Sequence, residues 1–290
     1  MFVWRSACKK CGGAACRQSE TAFFYGADMQ LTINHIDTNY VLDNEGGGPW
    51  LTFIHQLAGD HSVWDQMAGF FRNDFQVLRY DLRGHGGTTA SPDDFSIDDL
   101  ADDLAELLAR VGAPSTHVVG LSIGGMVAQK FAVNHADKVD TLTVVGAPAF
   151  IPEDARPTFR QRAKFVRERG TASIVDATLE RWLTPGFRKA HPEVVEQIGE
   201  TIARTPVEGF ARAADAVSRF DVRDKLASIV RPTLVVTGEH DSGTPPAQTK
   251  VIADTVQGAQ FQLLDAAHLT PVEQSQRFGA LLDGFLRNLV

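Results

Sequence analysis

A serine enclosed by glycines stands between an apolar run and a helical pattern. Residues 120–124 read Gly-Leu-Ser-Ile-Gly; the apolar run 116–119 precedes them, and residues 126–131 follow with helical spacing. Strand, sharp turn and helix form the context of a nucleophile elbow, in which glycines leave room for a serine in a strained conformation. Ser122 is therefore the candidate nucleophile for attack on a carbonyl carbon. The alternative is an ordinary tight turn, because small residues also cluster in loops.

A serine nucleophile needs a base that takes its proton and an acid that orients the base. Proteins built on this elbow carry the three groups in the chain order serine, acid, histidine. Asp241 follows the apolar run 233–236, and His268 is the only one of the nine histidines beyond it. His268 itself follows the apolar run 261–264. Because parallel strands present their carboxyl ends at one edge of a sheet, we expect Ser122, Asp241 and His268 to converge there as a catalytic triad.

Other titratable residues near these positions keep alternatives open. Glu239 or Asp265 could supply the acid if Asp241 served instead as a helix N-cap. His240 is more typical of a loop residue than of a base. His85, in a glycine-rich turn, is more typical of a structural hydrogen-bonding residue.

Attack on a carbonyl creates an oxyanion, which two preorganised backbone N–H groups can stabilise. One donor is expected from Ile123, the residue directly after the nucleophile. The second is expected from the loop after the apolar run 51–54, where Leu57 is the first choice. Leu57 and Ile123 are therefore the predicted oxyanion-hole residues.

The apolar pattern indicates the scaffold that must position these loops. Short strand-type runs alternate with helical patterns, which predicts an α/β fold with a mostly parallel sheet and helices on both faces. From about residue 150 to 226 the strand-type runs give way to short amphipathic helices interrupted by prolines. We therefore expect a core of residues 29–150 and 227–290, with a helical cap at 151–226 inserted after the sixth strand. The predicted strands are 30–34, 38–42, 51–54, 76–80, 116–119, 141–145, 233–236 and 261–264, and the last helix carries Phe278, Leu281, Leu282, Phe285 and Leu289.

The composition argues against several other classes of protein. With 28 Lys and Arg against 36 Asp and Glu, the formal net charge of -8 disfavours nucleic acid or an anionic membrane as a partner. No run of about twenty apolar residues is present, so no membrane-spanning helix is expected. The glycine-rich segments are accounted for by the elbow and by turns, and we expect neither a cofactor nor a metal ion.

All three cysteines, Cys8, Cys11 and Cys16, lie in the first part of the chain. Cys8 and Cys11 have the spacing of half a zinc or redox site, but no second pair follows them. The segment lacks the apolar core of a secretory signal, so residues 1–28 are expected to form a disordered tail. Because the rest of the chain contains no cysteine, disulfides cannot stabilise it, and a cytoplasmic location is expected.

With these residues in place, the sequence resembles the α/β-hydrolase superfamily, and within it the 3-oxoadipate enol-lactonases. The likeness runs from about residue 29 to residue 289. The motifs at 78–86 and at the elbow belong to the superfamily at large, whereas two cap segments are more specific. The segments that carry the likeness are 78–86 (Leu-Arg-Tyr-Asp-Leu-Arg-Gly-His-Gly), 119–125 (Val-Gly-Leu-Ser-Ile-Gly-Gly), 265–269 (Asp-Ala-Ala-His-Leu), 272–273 (Val-Glu), and in the cap 180–187 (Glu-Arg-Trp-Leu-Thr-Pro-Gly-Phe) and 205–210 (Thr-Pro-Val-Glu-Gly-Phe).

The resemblance implies a cofactor-free serine hydrolase that opens a small carboxylated enol-lactone in the β-ketoadipate pathway of aromatic degradation. The sequence departs from the usual pattern at 55–59, His-Gln-Leu-Ala-Gly, where members have Asn-Ser-Leu-Gly. It departs again at 270–271, Thr-Pro in place of Ser-Asn. Because this fold hosts several functions, three alternatives stay open: a detoxifying carboxylesterase or signal lactonase with an uncharged substrate, a cofactor-free perhydrolase or lyase, and a non-enzymatic ligand receptor.

The charge distribution gives an independent indication of the substrate. Residues 151–225 hold 14 basic and 12 acidic groups, whereas the remaining residues hold 14 basic and 24 acidic groups. A cap more positive than its core favours an anionic ester or lactone. Arg181, beside Trp182, is the first choice for contacting a substrate carboxylate, with Arg160 and Arg212 as weaker candidates, although arginines on short helices usually face water. The aromatic residues of the cap suit a pocket or a contact between subunits equally well, which leaves a homo-oligomer open.

Overall fold

The computed structural model describes residues 26–43 and 47–287, and its centre is one eight-stranded sheet. The strands are β1 (Asp28–Ile33), β2 (Ile36–Asp43), β3 (Trp50–Ile54), β4 (Gln76–Tyr80), β5 (Thr116–Leu121), β6 (Val139–Val145), β7 (Thr233–Gly238) and β8 (Gln260–Leu264). Their order in the sheet is β1-β2-β4-β3-β5-β6-β7-β8. Strand β2 is antiparallel to both of its neighbours, and every pairing from β4 to β8 is parallel. The carboxyl ends of six strands therefore meet at one edge of the sheet.

The helices divide into two groups along the chain. The helices associated with the sheet are α1 (Asp65–Phe71), α2 (Ile97–Val111), α3 (Ile123–Asn134), α10 (Pro246–Thr255), α11 (Thr270–Glu273) and α12 (Ser275–Arg287). Consecutive helices between β6 and β7 are α4 (Arg156–Arg169), α5 (Val175–Trp182), α6 (Pro185–Ala190), α7 (Pro192–Arg204), α8 (Val207–Ser218) and α9 (Arg223–Leu226). This order confirms the predicted α/β fold with helices inserted after the sixth strand. Within residues 26–43 and 47–287, no helix is both long and apolar enough to cross a membrane.

The local sequence explains where α2 begins and ends. The Ser96 hydroxyl accepts a hydrogen bond from the Asp99 N–H at 3.2 Å, and the Asp99 carboxylate accepts one from the Ser96 N–H at 2.7 Å. This capping box satisfies backbone donors that the first turn leaves free, and the acidic side chains there suit the helix dipole. Gly112, with φ 82°, ends the helix in the left-handed conformation. The leucines of α2 are buried, so this helix covers one face of the sheet.

Some strands extend beyond their predicted bounds, because backbone pairing continues past the last branched apolar residue. Strand β5 ends at Leu121 and β7 at Gly238, and both are buried along their whole length. The edge strand β8 exposes three of its five residues. Central parallel strands are covered on both faces, which is why β5 and β7 form continuous apolar runs in the sequence.

The beginning of the fold differs slightly from the prediction. Strand β1 begins at Asp28, and the N–H of Gly26 donates a hydrogen bond of 2.8 Å to the Asp43 carboxylate. Residues 26–28 thus contact the sheet and do not belong to the predicted tail. Residues 1–25, including all three cysteines, lie outside the described residues, as does Leu289.

Two short segments join the inserted helices to the sheet. Phe150 and Asp221 form an antiparallel bridge. On either side of it, the N–H of Ile151 donates to the Phe220 carbonyl, and the N–H of Val222 donates to the Ala149 carbonyl, both at 3.0 Å. The chain therefore enters and leaves the cap through one hydrogen-bonded neck, close to the predicted boundary at residue 151.

The cap also contacts the core through two glycines. Gly84 lies in the turn after β4 with φ +68°, and Gly209 lies in α8. A Cβ atom on Gly209 would lie 1.9 Å from the Gly84 carbonyl oxygen. Because that oxygen belongs to the backbone, relieving the clash would require a backbone shift. The absence of both side chains thus allows α8 to rest directly on the core backbone.

Replacing Gly209 with alanine is expected to destabilise the protein by about 1–3 kcal/mol, because the added methyl group separates α8 from the core. Gly284 provides a matched control, since it is also a helical glycine but a Cβ atom added to it would have nothing within 4 Å. Gly284→Ala should stabilise by about 0.5–1 kcal/mol through helix propensity alone. Urea unfolding of both variants measures the two effects, and a Gly209→Ala variant as stable as Gly284→Ala would contradict the proposed contact.

Candidate active site

The backbone at Ser122 is strained in the manner predicted for an elbow. Ser122 has φ 57° and ψ -118°, a region that non-glycine residues rarely occupy. Its N–H donates to the Val145 carbonyl at 2.8 Å, and its carbonyl accepts from the Met126 N–H at 3.1 Å. A Cβ atom on Gly120 would lie 2.1 Å from the Gly124 carbonyl oxygen. The glycines therefore permit the tight approach of strand and helix that holds this turn.

Asp241 and His268 form a buried pair at the carboxyl edge of the sheet. The Nδ1 atom of His268 lies 2.7 Å from Oδ2 of Asp241, and the residues are 5% and 3% exposed. The second carboxylate oxygen, Oδ1, accepts hydrogen bonds from the N–H groups of Gly243 at 2.9 Å and Thr244 at 2.8 Å. Both oxygens of Asp241 are thus engaged, and Oδ2 is fixed in the direction of the imidazole.

The alternative acids do not contact His268. Glu239 and Asp265 are exposed, and Asp265 instead lies 2.8 Å from Nε2 of His240. Nor is Asp241 the N-cap of α10, whose cap position is Pro245. The pairing of Asp241 with His268 therefore agrees with the assignment by chain order.

The ligand atoms of Glu239, His240 and Asp265 lie within 4.8 Å of one another, so these residues could approach a metal ion. All three are exposed to solvent. Exposed carboxylates satisfy their hydrogen bonds with water, and His240 is already paired with Asp265. This cluster therefore offers no specific metal chemistry to the site.

A cavity of about 290 Å³ separates the sheet edge from the cap, and Ser122 and His268 both line it. Leu57 and Ile123 line the same cavity from the core side. Within residues 26–43 and 47–287, the backbone N–H groups of Leu57 and Ile123 have no hydrogen-bond acceptor. The structure thus brings together the residues proposed for the nucleophile, the base and the oxyanion hole.

His55, for which the sequence predicts no role, hydrogen-bonds the loop that contains Leu57 to the turn after β4. Its Nδ1 atom is 2.7 Å from the Gln56 carbonyl, and its Nε2 atom accepts from the Leu82 N–H at 2.9 Å. These bonds require a neutral imidazole, and burial lowers the pKa of His55 accordingly. The only sequence feature that could have indicated this role is the position of His55 directly after β3.

His85 is buried in the neighbouring turn, as a structural role requires. Its Nδ1 atom lies 3.0 Å from the Arg83 carbonyl, and its ring is 5.4 Å from the ring of His55. Burial, assisted by the neighbouring His55, lowers the pKa of His85 to about 3. A neutral imidazole in this position supports the turn and does not line the cavity.

Two arginines of the cap face the cavity, of which the sequence singles out only one. Arg181 lines the cavity, and its Nε atom donates to the Ala177 carbonyl at 3.1 Å. Arg162 also lines the cavity and lies over the Phe210 ring at 5.9 Å. Neither arginine has a carboxylate partner among the described residues. The weaker candidates do not line this cavity: Arg160 is exposed, and Arg212 pairs with Asp94 at 2.8 Å.

The charges of these two arginines act on each other. Burial and the positive charge of Arg181 lower the pKa of Arg162 to about 10. Burial also lowers the pKa of Arg181, and the negative charge of Asp241 opposes that shift. Both guanidinium groups therefore remain charged at neutral pH, although each is partly removed from water and has no ion-pair partner in the part of the chain that the structure describes.

Trp182 contacts the histidine directly. Its ring stacks on the His268 imidazole, with 6.0 Å between centroids and 28° between planes. Its carbonyl accepts a hydrogen bond of 3.0 Å from the N–H of Leu269. The cap segment that contains Trp182 is thus part of the wall around His268.

Residues 49–274 of the sequence match the family model of the α/β-hydrolase fold, in agreement with the sheet, the elbow and the cap described above. The chain belongs to the α/β-hydrolase fold family. It is 30% identical over 257 residues to 3-oxoadipate enol-lactonase 2 of Acinetobacter baylyi, a match that covers 89% of this chain and 96% of the relative.

Two solved structures agree with this assignment. The enol-lactonase from Burkholderia xenovorans LB400 is 29% identical with a TM-score of 0.85, covering 89% of this chain and all of that one. A thermophilic esterase from Thermogutta terrifontis, solved with malate bound, is 30% identical with a TM-score of 0.85, covering 91% and 99% of the two chains. These matches confirm the predicted family and agree with the predicted hydrolase class.

Replacing Asp241 with asparagine is expected to lower kcat by about 10⁴-fold. The N–H groups of Gly243 and Thr244 should keep the amide oxygen, which turns the amide NH₂ toward Nδ1 of His268 and favours the wrong tautomer. Asp265→Asn is the matched control, because Asp265 pairs with His240 instead. Steady-state kinetics should show the control within twofold of the wild type, and equal losses in both variants would contradict the assignment of the acid.

Proposed function

We propose that this chain is a cofactor-free serine hydrolase that opens a small carboxylated enol-lactone, 3-oxoadipate enol-lactone or a close analogue. The observation that carries the proposal is the buried Asp241–His268 pair at a cavity that Ser122 also lines, together with two arginines that have no acidic partner within residues 26–43 and 47–287. The same arrangement could cleave a small anionic ester. We further propose that the reaction belongs to the β-ketoadipate pathway of aromatic degradation, in the cytoplasm; the resemblance to enol-lactonases supports this proposal.

In the first half of the reaction, Ser122 Oγ attacks the lactone carbonyl while His268 takes the hydroxyl proton. The N–H groups of Leu57 and Ile123 stabilise the oxyanion as it forms. Collapse breaks the ring C–O bond, and His268 returns its proton to the departing enolate, which stays attached to the acyl chain. Asp241 holds the imidazole in the correct tautomer and stabilises its positive charge.

In the second half, His268 removes a proton from water, and the resulting hydroxide attacks the acyl-enzyme carbonyl. The ester bond to Ser122 breaks, and the proton returns from His268 to Oγ. The balanced reaction is lactone plus water giving an oxo acid. Every step uses side chains and backbone groups of this chain together with water.

The two cap arginines support an anionic substrate. A cation removed from water without a partner costs free energy, and two such groups repel each other. A substrate carboxylate near Arg162 and Arg181 would relieve both penalties, with Trp182 forming an adjacent apolar wall. Two similar proteins also support an anionic substrate. One is named for a carboxylated lactone, and the esterase structure was solved with malate, a dicarboxylate.

Ser122→Ala should lower turnover of the enol-lactone by about a millionfold, because the remaining groups cannot act as a unit without the nucleophile. Ring opening can be followed by the loss of enol-lactone absorbance. Wild-type contamination is excluded by purifying the variant from a host that lacks hydrolases of this kind. Near-normal turnover in the purified variant would remove Ser122 from the mechanism.

Arg162→Gln and Arg181→Gln should each lower the ratio of kcat/KM for the carboxylated enol-lactone to kcat/KM for a neutral p-nitrophenyl ester. A charge-assisted hydrogen bond contributes about 1.5–3 kcal/mol, which corresponds to a roughly tenfold to hundredfold lower ratio. Arg160→Gln is the control, since Arg160 lies on α4 together with Arg162 but is exposed to solvent. A ratio unchanged in both variants would favour the uncharged substrates of a general esterase.

A further inference from the structure

Glu273 connects the loop before His268 to the cap. Its Oε1 atom accepts a hydrogen bond of 2.7 Å from the N–H of Ala267. Its Oε2 atom accepts two more, from the N–H of Thr184 at 3.0 Å and from the Thr184 hydroxyl at 2.6 Å. Ala267 directly precedes His268, and Thr184 lies two residues after Trp182. One carboxylate therefore joins two segments that are far apart in the sequence.

On the cap side, Thr184 organises its own segment. It is the N-cap of α6, and its hydroxyl accepts a hydrogen bond from the Phe187 N–H at 3.3 Å. Pro185 occupies the first helical position, where its missing N–H costs nothing. The Thr-Pro-Gly-Phe part of the cap segment 180–187 thus forms the beginning of α6. The Thr184 hydroxyl accepts from the helix backbone and donates its own proton to Glu273.

On the other side of His268, the chain is also bound to the cap. The N–H of Leu269 donates to the Trp182 carbonyl at 3.0 Å. The residues before and after His268 are therefore both hydrogen-bonded, directly or through Glu273, to cap residues 182–184. Between them, the Trp182 ring stacks on the imidazole.

From these contacts we infer that Glu273 is a positioning residue, which fixes the imidazole of His268 relative to the cap. The base is aligned with Ser122 only while cap residues 182–184 are seated on the loop 267–269. This inference rests on the proposed role of His268 as the base. The inference gives one role to two separate sequence features: the Trp-Leu-Thr-Pro segment of the cap and the glutamate five residues after His268, which are joined by the hydrogen bonds of Glu273.

The position requires a carboxylate rather than any polar group. Three donors converge on the two oxygens of Glu273, and a carboxylate has only acceptors to offer. A glutamine of the same shape would turn its NH₂ group toward either Ala267 or Thr184. One of the two links would then be replaced by an unfavourable contact between donors.

Glu273→Gln tests the inference with little change in volume. We expect kcat to fall by tenfold or more, up to about a hundredfold, because a displaced imidazole transfers protons poorly. Inactivation by a fluorophosphonate probe should slow by a similar factor, since it needs His268 but no substrate carboxylate. The pH profile of inactivation should shift, and hydrogen exchange should rise together in peptides covering 182–190 and 265–270.

Two further variants keep the test interpretable if Glu273→Gln folds poorly. Thr184→Val removes one of the two donors from the cap and should reproduce part of the loss, whereas Thr184→Ser keeps the hydroxyl and should restore the wild-type rates. Glu208→Gln is the control for charge removal, because Glu208 pairs with Arg167 on the exposed face of the cap. Its rates should remain within twofold of the wild type.

The inference is overturned if Glu273→Gln or Thr184→Val lowers the melting temperature but leaves kcat, the inactivation rate and its pH profile unchanged at 25 °C. That result would make Glu273 a structural residue only. Failure of the proposed function has a different signature: the probe would not label wild-type Ser122 at all. Labelling of the wild type with slow labelling of Glu273→Gln supports the inference.

Discussion

The charge-assisted hydrogen bond between Asp241 and His268 is the interaction on which the rest of the site depends. A carboxylate can be buried at this depth because both of its oxygens are satisfied, one by two backbone N–H groups and one by the imidazole. The loop after β7 thus orients the carboxylate that accepts the bond from Nδ1 of His268. Gly146, directly after β6, lies beside the pair with φ +54°, a left-handed conformation that glycine adopts without strain.

The cap is held to this edge by links from separate parts of the chain. The neck at residues 149–151 and 220–222 fixes where the cap begins and ends. The contact of Gly84 with Gly209 seats α8 on the core. Glu273 joins the cap to the loop of His268. The cavity lies among these links, so its shape and the alignment of its base depend on the same contacts.

The fold and the convergence of Ser122, Asp241 and His268 at one edge of the sheet could be predicted because the sequence carries signals for them. Continuous apolar runs mark the parallel strands, the glycines mark the elbow, and the chain order leaves only His268 after Asp241.

The cavity residue Arg162 could not be predicted from the sequence in this way. Consecutive residues of an α-helix are about 100° apart, so Arg160 and Arg162 point to nearly opposite sides, and only the packing of α4 decides which one faces the cavity. Glu273 stands in a recognisable motif, but its partner Thr184 lies 89 residues away, too far for any local pattern to reveal the contact.

Rapid-quench mass spectrometry of the wild-type enzyme during turnover of the enol-lactone tests this mechanism most directly. In this mechanism the substrate acylates Ser122, with His268 as the base and Asp241 holding the imidazole. We expect a transient mass increase equal to that of the lactone, located on the peptide that contains Ser122. Turnover with the added mass on another residue, or with no covalent adduct under conditions that trap one, would contradict it.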